Sequence, residues 1–428
     1  MSGISTRITP REWLERRFHI WKPAAAAWLE RVLLWYFAGT ARFRRSKKET
    51  GRVLVARTDG LGDFILWLDC AREMRERYKD RTIVLILDST KPTAELARRT
   101  GYFDEVLEVG IHNYTRFATI LRMRRMSFDL VLQPVYTRLI FTDILIFACR
   151  ARERITLDTN GKFFTERTLK VSNRGYDRIL PAAPGVRHEL LRGAQFLRGL
   201  GFSEYRAKLP WLPPMGENPV QAKDYVVIFP AASWPGKVWG YERFAAVCDE
   251  IIDQTGYTCV AAGGRADLHT IGSMISCMRH GREVFNAAGI FSICQTAEAI
   301  RGARLALGND TGPMHMAVAC GTPSVVITGD LEYGRFFPYE AEAAGGRYPR
   351  VAAAALPCRG CQTEHDRPCP YPTDGRGAVR CITAVTVESC MEAVTELLEQ
   401  EFTKMETAGK AEGGGERWEK FQRGFHGS

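Results

Sequence analysis

The sequence contains no run of about 18 apolar residues, so an ordinary membrane-spanning helix is not expected. The nearest approach, residues 24–41, carries Glu30 and Arg31 in its middle. The first residues also lack the charged start, unbroken apolar core and small-residue cleavage site of a secretory signal. Without such a signal, the twelve cysteines read as thiols or metal ligands in a reducing, cytoplasmic compartment rather than as a disulfide scaffold. No short repeat period is present, which argues against a solenoid. Charge is scarce where a nucleic-acid-binding body would need it. Of the net +10, +7 sits in residues 1–50, which hold eleven Lys/Arg against four Glu. The rest of the chain is only mildly basic, and no nucleic-acid partner is expected.

What the sequence does have is length and a change of pattern near residue 51. At 428 residues it exceeds one ordinary domain, so two domains with a cleft between them are the default. Residues 1–50 read as a basic, aromatic, helical extension. In it Trp13, Leu14, Trp21, Trp28, Leu29, Leu33, Trp35, Tyr36 and Phe37 alternate with Arg16, Arg17, Lys22 and Arg31, and a run of Arg42, Arg44, Arg45, Lys47 and Lys48 follows. That is the composition of an interfacial helix, which predicts peripheral contact with the inner face of the cytoplasmic membrane. The alternative is that these aromatics pack on the protein's own body. From Arg52 short apolar strands alternate with helices, as in a parallel sheet wound with helices. The stretch Leu209-Pro210-Trp211-Leu212-Pro213-Pro214 interrupts the pattern as an interdomain linker would. The alternation then restarts at Tyr225. The expected domains are therefore 51–212 and 213–400, with a Cys-rich loop at 358–381 in the second and a disordered tail at 401–428.

Three segments could carry chemistry. Asp59-Gly60-Leu61-Gly62-Asp63 follows a strand and opens a helix, so Gly60 and Gly62 allow a sharp turn and leave the helix start open to a ligand. Asp63 at the end of a parallel strand is placed where open α/β sheets bind ligands, although an acid at a helix start is also a routine cap. Asn309-Asp310-Thr311-Gly312-Pro313-Met314-His315 likewise leads from strand to helix. Its free N–H groups and positive dipole end suit a diphosphate, with Thr311 as an extra donor. His315 reads equally as a ligand-facing residue or as a core histidine. Lys237 sits in a loop after the first strand of the second domain, where it can neutralise a leaving phosphate. Separately, Cys358-x2-Cys361-x7-Cys369-x11-Cys381, with His365 inside, is a candidate structural zinc site.

The Asn309–His315 segment, with Ala319-Cys320-Gly321-Thr322-Pro323-Ser324-Val325-Val326 behind it, resembles the signature of glycosyltransferase family 9, the lipopolysaccharide heptosyltransferases. Residues 57–63, Lys237-Val238-Trp239, Ala262-Gly263-Gly264-x-x-Asp267 and Phe285-Asn286-Ala287-Ala288-Gly289 resemble further motifs of that family, in order, over roughly residues 52 to 395. The resemblance implies a GT-B-like α/β fold of two Rossmann-like domains facing a central cleft. It also implies an inverting, metal-independent transferase that moves a sugar, heptose by analogy, from a nucleotide-sugar donor such as ADP-heptose to a lipid-linked saccharide. Carried over by position, Asp63 is the general base and Gly60 and Gly62 form the acceptor-side loop. Lys237, Thr311 and Gly312 hold the donor diphosphate, and Asp267, Asp310 and His315 line the nucleoside or sugar. No Asp-x-Asp occurs anywhere in the sequence, so the metal clamp of many other glycosyltransferases is missing and no catalytic cofactor is expected. The segment Asp330-Leu331-Glu332-Tyr333-Gly334-Arg335 departs from the family pattern. Two other readings are a nucleotide-sugar epimerase of the same fold and a non-catalytic nucleotide-binding or zinc-stabilised module.

Overall fold

The computed structural model describes residues 26–110, 115–339, 349–361, 369, 371 and 374–407. Trp13, Leu14, Trp21, His365 and the tail beyond 407 lie outside the described residues. The expected α/β architecture of two parallel sheets is what is found. The first sheet takes β1 (Arg52–Ala56), β2 (Thr82–Asp88), β3 (Glu105–Val109), β4 (Ser127–Gln133), β5 (Arg150–Leu157) and β6 (Arg178–Leu180) in the order β3-β2-β1-β4-β5-β6. The second takes β7 (Tyr225–Phe229), β8 (Thr258–Ala261), β9 (Val284–Asn286), β10 (Leu305–Asn309), β11 (Ser324–Ile327) and β12 (Arg350–Ala352) in the order β12-β11-β10-β7-β8-β9. Every pairing is parallel. Strands covered on both faces must be apolar throughout, and all residues of β7, β10 and β11 are buried. In both sheets the strand order reverses once, between β1 and β4 and between β7 and β10. Such a switch point opens a crevice at the carboxyl ends of the strands.

Helix α1 spans 26–40. It is followed by α2 (Leu61–Leu66), α3 (Leu68–Arg77), α4 (Thr93–Arg99), α5 (Arg116–Arg124), α6 (Ile140–Ala148), α7 (Glu166–Asn173) and α8 (Glu189–Gly199). Then come α9 (Tyr241–Thr255), α10 (Leu268–Cys277), α11 (Ile293–Gly302), α12 (Gly312–Cys320), α13 (Arg380–Thr383) and α14 (Val387–Thr407). The helix opened by Asp59–Asp63 stops at Leu66 before α3 begins, because the Trp67 N–H reaches back only three residues to the Phe64 carbonyl (3.2 Å) and tightens the turn. Helix α14 continues to Thr407, past the start of the expected disordered tail.

By compactness the chain forms two units. One gathers the described residues of Met1–Thr58, Tyr78–Thr90 and Asp104–Ala182; the other gathers Asp59–Arg77, Lys91–Phe103 and Ala183–Ser428. In the first unit α1 is half core and half surface. Leu34, Phe37, Ala38 and Ala41 are buried against Ile120, Met123 and Phe141, each large apolar side chain contributing about 1.5–3 kcal/mol by leaving water. Trp28, Trp35 and Tyr36 stay exposed. The expectation that aromatics of the extension pack on the protein's own body is thus met for Phe37, while these three are left outside that core. In the second unit the Pro-rich stretch is docked, not loose. The Leu212 N–H donates to the Ala319 carbonyl (2.9 Å) and Arg301 donates to the carbonyls of Leu212 and Pro213 (3.0 Å each).

Candidate functional site

The site lies wholly within the second unit and starts from Asn309 at the end of β10. This residue is fully buried, and its side-chain amide is used on both ends. The oxygen accepts the Trp239 N–H (3.1 Å) and the nitrogen donates to the Pro230 carbonyl (2.8 Å). Trp239 is itself buried and donates its indole N–H to the Val385 carbonyl (2.8 Å). These bonds fix the loop after β7 beside the end of β10 at the switch point, and so they aim Lys237.

The Lys237 ammonium meets Asp310 at 3.4 Å and forms a close ion pair with Glu332. Burial opposes its charge, but the two carboxylates outweigh that effect and raise its pKa. Burial pushes the Asp310 carboxyl up while Lys237 pulls it down; the net shift is upward. Glu332 also faces Arg335 (3.3 Å), and Arg335 donates to Glu189 at the start of α8 (2.9 Å). Although burial opposes its charge, Glu189, Asp63 and Glu332 together raise the Arg335 pKa. Phe336 carries both cations on its ring, Lys237 at 5.4 Å and Arg335 at 4.7 Å from the centroid. A line of alternating charge therefore runs from Asp310 through Lys237, Glu332 and Arg335 to Glu189, with Asp63 acting on Arg335.

Thr311 caps α12 in an extended conformation, with no side-chain bond to the helix start. Its hydroxyl donates to the Asn309 carbonyl instead (3.1 Å). The first turn of α12 is thus a positive helix end beside Lys237. Asp63 is the third residue of α2, not its cap; Gly60 holds the capping position. The starts of α2 and α12 meet glycine to helix. A Cβ on Gly62 would lie 2.8 Å from His315 Cδ2, and one on Gly312 would lie 2.9 Å from Leu61. The Gly62→Ala variant is therefore expected to lose about 1–3 kcal/mol by overpacking, measured as a lower urea midpoint at unchanged slope. A neutral result would mean that the two helices part freely.

His315 is buried in a stack. Its ring lies 4.3 Å from Phe337 at an interplanar angle of 8°, and its Nδ1 pairs with the Tyr339 hydroxyl at 2.7 Å. Burial, then His188 and Lys237, lower its pKa well below the ordinary value, so the ring is neutral. Burial raises the Tyr339 pKa well above its usual value. The phenol can therefore donate to Nδ1 and leave the imidazole proton on Nε2, at the edge that faces Gly62. His188 caps α8 by accepting the Leu190 N–H at Nδ1 (3.2 Å) and bonds the Phe336 carbonyl through Nε2 (3.0 Å). Burial lowers its pKa to about 4, and it too is neutral at pH 7.

The structure brings together Asp63, Gly60, Gly62, Lys237, Asp310, Thr311, Gly312 and His315. Asp267 stands apart in role. Its carboxylate accepts the Gly264 N–H (2.8 Å) and closes its own turn beyond β8, against Gly263. The four candidate zinc ligands are not assembled. Among the described residues no three His, Cys, Asp or Glu gather into a metal-holding group. Cys381 sits on α13, buried against Gly329, whereas Cys361 is exposed. No disulfide joins any pair among the described residues. Asn309, Glu332, Arg335 and Glu189 were not singled out in the sequence, although the segment 330–335 stood out as a departure. Asp330 there is fully buried and grips the next loop, accepting from Arg359 (2.8 Å) and the Leu356 N–H (3.3 Å).

With this geometry in view, residues 204–365 match the profile of glycosyltransferase family 9 (heptosyltransferase). No curated protein matches the chain in sequence. Solved structures resemble it in fold. A family 9 glycosyl transferase from Veillonella parvula superposes with a TM-score of 0.63 at 18% identity, covering 83% of this chain and 99% of that one. The E. coli ADP-heptose lps heptosyltransferase II gives 0.60 at 17% identity, covering 82% and 99%. E. coli heptosyltransferase WaaC with ADP-2-deoxy-2-fluoro heptose gives 0.56 at 17% identity, covering 81% and 99%. Among the described residues no helix is long and apolar enough to cross a membrane. Residues 204–365 thus match the glycosyltransferase family 9 (heptosyltransferase) model, and the chain shares the two-sheet α/β, GT-B-like fold of these structures.

Proposed function

We propose that this chain transfers heptose, with inversion and without a catalytic metal, from ADP-heptose to a lipid-linked saccharide of the lipopolysaccharide-core type. The observation that carries the reading is the meeting of the α2 and α12 starts, with Asp63 on one and Lys237 beside the other. In-line displacement at an anomeric carbon needs a base on the acceptor side and positive potential on the leaving side. Asp63 supplies the base that takes the acceptor hydroxyl proton as oxygen attacks carbon. Lys237, the Gly312 end of α12 and the Thr311 hydroxyl, once turned from Asn309, receive the departing diphosphate. Asp310 orients Lys237 and faces the sugar, and Asp267 holds the turn beside the nucleoside. His315 keeps one donor, Nε2–H, for that side of the site. Glu332 holds the place of the diphosphate while the donor is absent, since both are anions that pair with Lys237. The aromatic, basic stretch within residues 1–50 keeps the enzyme on the anionic membrane face where such an acceptor lies.

A thermal-shift panel of ADP-, GDP-, UDP- and dTDP-sugars tests the donor. A ligand at a hundred times its Kd stabilises the fold by about 2.7 kcal/mol, so ADP-heptose is expected to stand out. A larger response to another nucleotide would reassign the donor, and no response to any would favour a non-catalytic module.

A further inference from the structure

We infer that the outer face of α5, together with that of α1, forms one docking surface for an anionic phospholipid bilayer. This rests on the proposed membrane contact of residues 1–50 and adds a second element that the sequence did not mark. Both helices lie in the first unit, their inner residues in one core. They are tied side by side at each end: Arg116 at the start of α5 pairs with Glu30 on α1 (3.7 Å), and Arg44 beyond α1 donates to the Arg124 carbonyl at the end of α5 (3.4 Å). Their outer faces therefore turn away from the same core.

What those faces present is aromatic and cationic. On the α1 side Trp28, Trp35 and Phe43 are 65%, 67% and 88% exposed, and on α5 Phe117 and Leu121 are 53% and 55% exposed. Arg31, Arg42, Lys47 and Lys48 accompany the first group in sequence, and Arg122, Arg124 and Arg125 the second; all are exposed, while the equally exposed Arg45 is paired with Asp177 (2.7 Å). The two acids on this stretch, Glu30 and Glu49, are each paired, with Arg116 and with Arg81. A groove of about 460 Å³ opens on α5, lined by Ala118, Leu121 and Met126 together with Arg122 and Arg125. A lining that combines apolar side chains with two arginines fits the junction of acyl chain and phosphate. An acidic protein would match the charge, but a surface this rich in exposed aromatics favours the headgroup boundary.

The test is co-sedimentation of the full chain with vesicles of phosphatidylcholine alone and of phosphatidylcholine with phosphatidylglycerol. Each cationic side chain near an anionic leaflet contributes about fivefold in partitioning, equivalent to about 1 kcal/mol. The Arg122→Gln/Arg125→Gln pair should therefore weaken binding to the anionic vesicles roughly 25-fold. Phe117→Ser/Leu121→Ser should weaken it independently of charge. All four positions are exposed, so the thermal midpoint should stay as in the wild type. A parallel Trp28→Ser/Trp35→Ser variant separates the two claims. If it loses binding and both α5 variants keep it, the inference fails while the membrane reading stands. If the wild type binds neither vesicle, both fail. Equal binding to neutral and anionic vesicles would overturn the anionic assignment.

Discussion

Asp63→Asn is expected to lower sugar transfer by about 10²–10⁴-fold, the usual contribution of a positioned general base, while leaving donor binding intact. Its effect on stability should be far smaller. An acid in the first turn of a helix contributes about 0.3–1 kcal/mol through the helix dipole, and Asn is nearly isosteric. The separation of the two magnitudes makes the variant informative. ADP release in the presence of a lipid-linked saccharide measures transfer, and a urea midpoint measures stability. If transfer survives in full, Asp63 is not the base, and its place beside the α12 start is structural.

Lys237→Met should be the most costly change in both stability and donor affinity. It leaves Asp310, which is 5% exposed, and Glu332 close together without their shared cation. Breaking a buried pair by removing one partner costs about 3–5 kcal/mol. The sign of the pH dependence follows from Asp310. Its pKa is already raised by burial despite Lys237, and loss of the ammonium raises it further. A carboxyl whose folded pKa is raised destabilises the fold fully above that pKa, and the cost is relieved as pH falls through it. The deficit of the variant should therefore shrink from pH 8 towards pH 5, measured against the wild type at each pH. Glu332→Gln should act in the opposite direction on the ligand. It removes the anion that competes with the diphosphate for Lys237, so donor affinity should rise. A fall would mean that Glu332 itself binds the sugar.

Much of the second unit was legible because the signals were local. A buried apolar strand, Leu305–Asn309, runs into Thr311-Gly312-Pro313, and that order alone specifies a strand, a turn and a helix start. Lys237 was found for a similar reason, as a cation in the loop after β7. The partners of these residues were not legible. Glu332, Arg335 and Glu189 are ordinary charged residues until a tertiary fold sets them in line, Arg335 and its partner Glu189 lying 146 positions apart. His315 showed its two readings but not the Phe337 and Tyr339 rings that enclose it. In the first unit β5 was missed because Arg150, Arg152, Glu153 and Arg154 mask a strand. Arg154 is in fact buried, donating to the carbonyls of Cys149 (2.8 Å), Ile146 and Ala41 (3.3 Å each). Helix α6, Ile140–Ala148, is nearly all apolar and buried, so it shows no amphipathic period. The Cys-x2-Cys spacing suggested zinc, but the packing of α13 into the core directs Cys381 elsewhere.

Calorimetric titration of ADP-heptose in a chelating buffer tests the central claim most directly, with the wild type, Lys237→Met and Asp63→Asn side by side. The expected result is saturable binding by the wild type without metal, near-wild-type affinity for Asp63→Asn, and about 10–100-fold weaker binding for Lys237→Met, the worth of a charge-assisted contact. Binding that is absent in the chelator, or that is untouched by Lys237→Met, would contradict the assignment of Lys237 and the α12 start as the metal-free diphosphate site.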